Sequence, residues 1–352
     1  VGHIKGLNGL RALAVLAVFA SHRTPLRAVK IGHMGVLVFL CLSGFLVGGI
    51  LHHQRLKMER GEATFATAFA TFMRNRVFRI WPIYYLTIAV MSLLALCGIA
   101  DPTWSWAELP YHLMFLSNVY QSEHAQWFAM GHFWSLAVEM WFYVLFAPLL
   151  LLLPSRFHVR ACLAIIALGL ANNAWLLAQH TDYIAVYTDF ATNFALLALG
   201  TLLQITFKDR ELPKAGFMAW LAGAGVLALC LTPRIETGPG SEPVLLLGAV
   251  AAGLLLVAIS QAQDGSLVRL LETAPLRTLG AVSYGFYVYH NLYKIEFLGQ
   301  SFAGKAGDMA LNFLAALALC TASWWLIEKP VMRWGRKLRV GPIKAAPVTA
   351  AI

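Results

Sequence analysis

Predominantly apolar residues in this chain come in runs of 16 to 23 residues, separated by polar or basic connections. The runs cover about 7–22, 33–52, 80–99, 131–153, 160–178, 189–206, 215–231, 242–261, 278–298 and 308–327. None alternates with a period of two, and most are long enough for a helix to cross the ~30 Å hydrocarbon layer. Only helices and closed barrels satisfy backbone polar groups in lipid. The pattern therefore predicts an all-α polytopic membrane protein with about ten transmembrane helices. Three connections have character of their own. Residues 53–79 are basic and are expected to hold an interfacial amphipathic helix. Residues 100–130 concentrate Trp104, Trp106, Tyr111, Tyr120 and Trp127, suited to the interface or to a re-entrant element lining a cavity. Residues 262–277 read as a short surface helix. The membrane unit is expected over 1–335, followed by a basic cytoplasmic tail, 336–352.

Composition agrees with this pattern. Charged residues make up 12% of the 352, about half the share in a soluble domain, and mean hydropathy is +0.67. The net charge of +10 does not indicate nucleic acid, because the charges lie between hydrophobic runs; the expected surroundings are membrane lipids. Counting Lys and Arg by connection gives twenty on one side and six on the other, with Arg11 left inside the first run. That asymmetry predicts cytoplasmic termini. The first outer loop, with Arg23, Arg27 and Lys30, is the local exception. The first run lacks a small-residue cleavage site and is followed by further runs, so a cleaved signal peptide is not expected. Cys41, Cys97, Cys162, Cys230 and Cys320 lie in apolar segments without metal-ligand spacing and read as small buried residues; no metal is expected.

Ionisable residues inside such runs are costly and mark candidate chemistry. Arg11 and His22 stand eleven residues apart on one helical face, offset by ~16 Å along the axis. The plain alternative is that Arg11 snorkels to the interface and His22 ends the helix. In the second run Gly35, Phe39 and Ser43 share a face, while Gly44 and Gly48 have the spacing of close helix packing. Ser43 can also bond back to its own helix. Arg76 and Arg79 are neighbours at the mouth of the third run. Paired guanidinium groups suit a phosphate-bearing ligand, although positive-inside anchoring also places arginines there. Glu139 lies ~12 Å into the apolar layer, with Ser135 and Tyr143 one turn to either side. It calls for a cationic partner or a wet cavity. His290 shares its face with Tyr287 and Ser283 at a similar depth. Glu328 and Lys329 precede Pro330, where helix termination is sufficient explanation.

In order, these motifs resemble the integral-membrane acyltransferase-3 family. They are Arg11 and His22; GxxxFxxxSGF from Gly35 to Phe45; Arg76 and Arg79 before Pro82, Tyr84 and Tyr85; FWSLAVExxFY from Phe133 to Tyr143; SYGxYxxH from Ser283 to His290; and IEKP from Ile327 to Pro330. Met140 departs from the second acidic residue expected after Glu139. The basic tail is similar to that of stand-alone members, which lack a fused hydrolase-like domain. The resemblance implies an acetyl-CoA-dependent O-acyltransferase in the bacterial inner membrane. It would move an acyl group, usually acetyl, from acyl-CoA as co-substrate to a hydroxyl of a sugar, glycan or related acceptor.

Under that resemblance, His22 is expected as general base, with a transient acetyl-His as the alternative course. Arg76 and Arg79 are expected to hold the phosphates of CoA, with Ser43 on the same donor-binding side. Arg11 would stabilise the thioester or pantetheine region, or pair with Glu139. Glu139 would orient a histidine or balance the arginine. His290, Tyr287 and Tyr143 are expected on the substrate-cavity wall. The opening helix would thus turn His22 and Arg11 into one lined tunnel. A secondary transporter of a small anionic or polar solute is the rival reading. It would also bury Arg, Glu and His around a cavity, but would often show inverted repeats or paired broken helices, which the sequence does not display.

Overall fold

The computed structural model describes residues 4–24, 28–99, 101–179, 181–233, 241–299 and 301–338. Arg27, Arg234 and the expected tail from 339 onward lie outside them. α1 spans Leu7–Arg23, α2 Ile31–Glu59 and α3 Phe65–Leu96. Two short helices, α4 (Leu109–Leu113) and α5 (Ser117–His124), occupy the aromatic segment before α6 (Trp134–Leu152). Then come α7 (His158–Ala178), α8 (Tyr183–Thr188), α9 (Phe190–Phe207), α10 (Ala215–Cys230) and α11 (Ser241–Gln261). α12 (Ser266–Leu271), α13 (Ala274–Ala281), α14 (Ser283–Tyr289), α15 (Phe302–Ser323) and α16 (Lys329–Lys337) complete the described chain. Among the described residues, seven helical stretches are long and apolar enough to cross a membrane. The protein is an all-α polytopic membrane protein.

Close approach of backbones holds the helices together, as expected where lipid removes the hydrophobic drive between them. α2 crosses α9 at two glycines. A Cβ on Gly44 would lie 1.9 Å from the Leu197 carbonyl oxygen, and one on Gly200 would lie 2.0 Å from that of Cys41. The Thr201 hydroxyl donates to the Gly44 carbonyl across this crossing at 2.9 Å. Gly35, on another face of α2, packs on α1, where a Cβ would stand 2.7 Å from the Ala14 carbonyl oxygen. Two cores result. One joins α3, α6 and α14 around Tyr84, Phe133, Phe142 and Phe286; the other joins α1, α2, α10 and α11.

Three elements differ from the sequence expectation. The basic segment 53–79 holds no separate interfacial helix. α2 continues to Glu59, and α3 begins at Phe65 after a turn closed by a Thr64–Thr67 capping box. The ninth run is not one helix. It divides at Val282 into α13 and α14, and residues after His290 run irregularly. Side chains of α15 satisfy that irregular backbone. Asn312 bonds both backbone groups of Ile295, at 2.9 and 3.1 Å, and Asp308 accepts from the amides of Phe297 and Leu298. Non-helical backbone is tolerated at membrane depth when protein supplies its partners. Finally, the last helix does not stop before Pro330. A π-helical turn, Trp324–Glu328, leads directly into α16, whose first turn accommodates the proline. Glu328 is buried there and accepts from the Ser323 hydroxyl at 3.3 Å.

Candidate active site

Two cavities lie side by side between α1, α2, α6 and α14. The first, of about 90 Å³, is lined by Arg11, Phe39, Ser43, Arg76, Arg79, Ser135, Glu139, Tyr143, Ser283, Tyr284 and Tyr287, among others. Three helices, α1, α3 and α6, thus bring three guanidinium groups and one carboxylate to one space. Glu139 accepts from the Ser43 and Tyr143 hydroxyls, and those two oxygens are 3.0 Å apart. Ser43 therefore bonds across to α6 instead of back to its own helix. The Arg76 guanidinium lies over the Tyr143 ring at 5.1 Å and over Phe72 at 5.4 Å. Arg11 donates a long bond from Nη1 to Asn8 Oδ1, at 3.4 Å. Among the described residues, none of the three arginines forms an ion pair with Glu139. Their charge is left to serve the cavity, which suits an anion able to accept several charge-assisted bonds.

The second cavity, of about 250 Å³, opens at the other end of α1. His22, His33, Trp127, Phe128, His132, Trp134, Tyr187 and Asn291 line it, with Ser21 and Val29. The aromatic segment before α6 thus supplies cavity wall. Val36 and Tyr287 belong to both linings. Tyr287 is fixed in this wall because its hydroxyl donates to the His132 carbonyl at 2.7 Å and accepts from the Ser135 hydroxyl at 2.7 Å.

Arg11 and His22 therefore face two adjoining cavities. Val36 and Tyr287, common to both linings, stand where the two spaces adjoin. Tyr143 and Tyr287 line the first cavity as wall residues. His290 lines neither. It is fully buried behind His22, with its Nε2 2.9 Å from His22 Nδ1. Arg23, which sequence reading treats only as a charge, donates to the carbonyls of His290 and Tyr293. His33, His132, Trp134 and Tyr187 were not distinguishable as cavity residues by spacing. Trp134 sits inside the FWSLAVE motif, the one signal available for it.

The acyltransferase-3 family model, described as an acyltransferase domain, matches residues 4–336. The chain belongs to this family. Curated relatives agree. It is 27% identical to BcsY of Komagataeibacter xylinus, named as a membrane-bound transacylase, over 81% of this chain and 72% of that protein. It is 25% identical to nodulation protein 10 of Rhizobium leguminosarum bv. viciae over 94% of both chains. It is also 27% identical to the peptidoglycan O-acetyltransferase OatA of Listeria monocytogenes, over 82% of this chain and 49% of that protein. No solved structure matches. This acyltransferase-3 protein is an integral-membrane acyltransferase.

Proposed function

We propose that this acyltransferase-3 protein moves an acyl group, usually acetyl, from acyl-CoA to a hydroxyl of a sugar or glycan-like acceptor. The observation that supports the reading is the pair of cavities sharing Val36 and Tyr287, one ringed by arginines and the other containing His22. The donor enters from the cytoplasmic side, where the basic connections lie, and both termini face that side of the bacterial inner membrane. Arg76 and Arg79 hold its phosphates, and Arg11 and Ser43 steady the pantetheine end. Glu139 keeps the cationic cavity from excess charge and orients the two hydroxyls bonded to it. The acceptor occupies the aromatic cavity.

His22 takes the proton from the acceptor hydroxyl as its oxygen attacks the thioester carbonyl. The C–O bond forms, the C–S bond breaks, and the proton passes from His22 to the departing thiolate. The imidazole suits this work because its ordinary pKa of ~6.5 allows gain and loss of a proton near neutrality. The test is acyl transfer by the purified protein in lipid nanodiscs, with acetyl-CoA and a panel of glycan acceptors. Acetyl-CoA-dependent ester formation that disappears in His22→Ala, while the variant stays folded, is expected. Transfer at the wild-type rate in that variant would remove His22 from the reaction.

A further inference from the structure

The last carbonyls of a helix lack intrahelical partners and must find donors elsewhere. At the end of α14 those donors are side chains, and they fix the protonation of three histidines. His290 Nδ1 lies 2.7 Å from the carbonyl oxygen of Tyr287, which can only accept. His290 Nδ1 therefore holds the proton, and in the neutral ring Nε2 is the acceptor. That acceptor faces His22 Nδ1 at 2.9 Å, so His22 Nδ1 bears the proton of its ring. The lone pair of His22 is thereby assigned to Nε2. His132 is set independently: its Nε2 lies 3.0 Å from the Val288 carbonyl and is the donor there. Arg23 completes the cap by donating to the His290 carbonyl at 2.9 Å, which ties the end of α14 to the end of α1.

We propose that His290 is a positioning residue for the transfer reaction: relaying the Tyr287 carbonyl, it holds His22 in the tautomer whose Nε2 is the base. This rests on the reading of His22 as general base. The relation is that of an orienting acceptor behind a catalytic imidazole, with a second imidazole and a backbone carbonyl in place of a carboxylate. A carbonyl at the end of this relay also favours the positive charge that His22 gains when it takes the acceptor's proton. The charged and titratable groups around His290 include His22 and Arg23 from α1, His132 from the turn before α6 and Tyr287 of α14.

The test combines nitrogen NMR of histidine-labelled protein in nanodiscs with transfer kinetics. His22 is assigned by loss of its signals in His22→Ala. In the wild type, His22 is expected to carry its proton on Nδ1. In His290→Leu that proton is expected to move largely to Nε2, and kcat to fall on the order of 10²-fold with KM for acetyl-CoA unchanged. His290→Gln offers an amide oxygen to His22 Nδ1 and is expected to restore much of both readouts. A wild-type His22 protonated on Nε2 overturns the proposal, and that single spectrum decides even if His290→Leu does not fold. An unaltered tautomer in folded His290→Leu overturns it as well. A shifted tautomer with unchanged transfer leaves the positioning intact and instead refutes His22 as the base.

Discussion

Val36 of α2 and Tyr287 of α14 are the two side chains common to both cavity linings. In the proposed reaction the acyl group passes them. Val36→Phe is therefore expected to lower transfer at least 10-fold while acetyl-CoA affinity stays within about twofold, since the added ring fills the passage and not the phosphate site. Comparing CoA binding with turnover in the same preparation checks it.

Tyr287 is also a structural tie. Tyr287→Phe leaves the His132 carbonyl and the Ser135 hydroxyl without their buried partner, at a cost of about 1–3 kcal/mol. A lower unfolding midpoint in detergent is expected; an unchanged midpoint would mean that both groups readily find other partners.

Replacing Arg76 and Arg79 together by Ala is expected to weaken CoA binding by two orders of magnitude or more, at about 1.5–3 kcal/mol for each charge-assisted bond lost. Lys at the same positions should recover only part of this, because an ammonium cannot bond a phosphate in bidentate fashion. Titration of immobilised protein with CoA gives the answer, and equal affinity in all variants would contradict the phosphate-site assignment.

The pH dependence follows from His22. Its neutral form has the lone pair and its protonated form has none, so transfer should rise with pH as the ring loses its proton and then level off. A rate that falls as pH rises from 5.5 to 7.5, with the protein folded throughout, contradicts a general-base role. Brief mixing with labelled acetyl-CoA and no acceptor, followed by peptide mass analysis, separates direct transfer from an acetyl-His intermediate. Label retained on the peptide containing His22 would establish the latter.

The α2–α9 crossing has no room for a side chain at its two glycines. Gly44→Leu and Gly200→Leu are each expected to abolish the monodisperse folded peak in size-exclusion chromatography, because the obstructing atoms are rigid backbone carbonyls. Gly61, where a Cβ meets nothing, provides a control position, with Gly61→Asn expected to leave that peak in place.

Several features were legible because they depend on local sequence alone. Long apolar runs dictate helices in lipid, and the spacing of Arg76 and Arg79 places them on one face wherever that helix lies. The glycine spacing in the second run likewise marked a packing seam without naming its partner, α9. The sequence expectation failed at the ninth run and at the last helix for different reasons. The ninth run ends early because Asn312 and Asp308 satisfy its backbone. The last helix passes Pro330 because a π turn absorbs the change. Of the basic residues that oppose the charge count, Arg23 at the end of α1 is bound to the carbonyls of His290 and Tyr293, and Lys30 is only 3% exposed, so neither is a free interfacial cation.

The sequence by itself determined that this is a helical membrane protein of the acyltransferase-3 pattern, with its ionisable residues set into apolar helices. Those properties follow from hydropathy and from motifs read along one chain. Only the tertiary structure decided that Arg11 and His22 open onto two adjoining spaces, that Glu139 is held by hydroxyls and not by an arginine, and that His290 stands behind His22. Such relations depend on which helices meet and at what height, and helical spacing fixes a residue's face without fixing what that face meets.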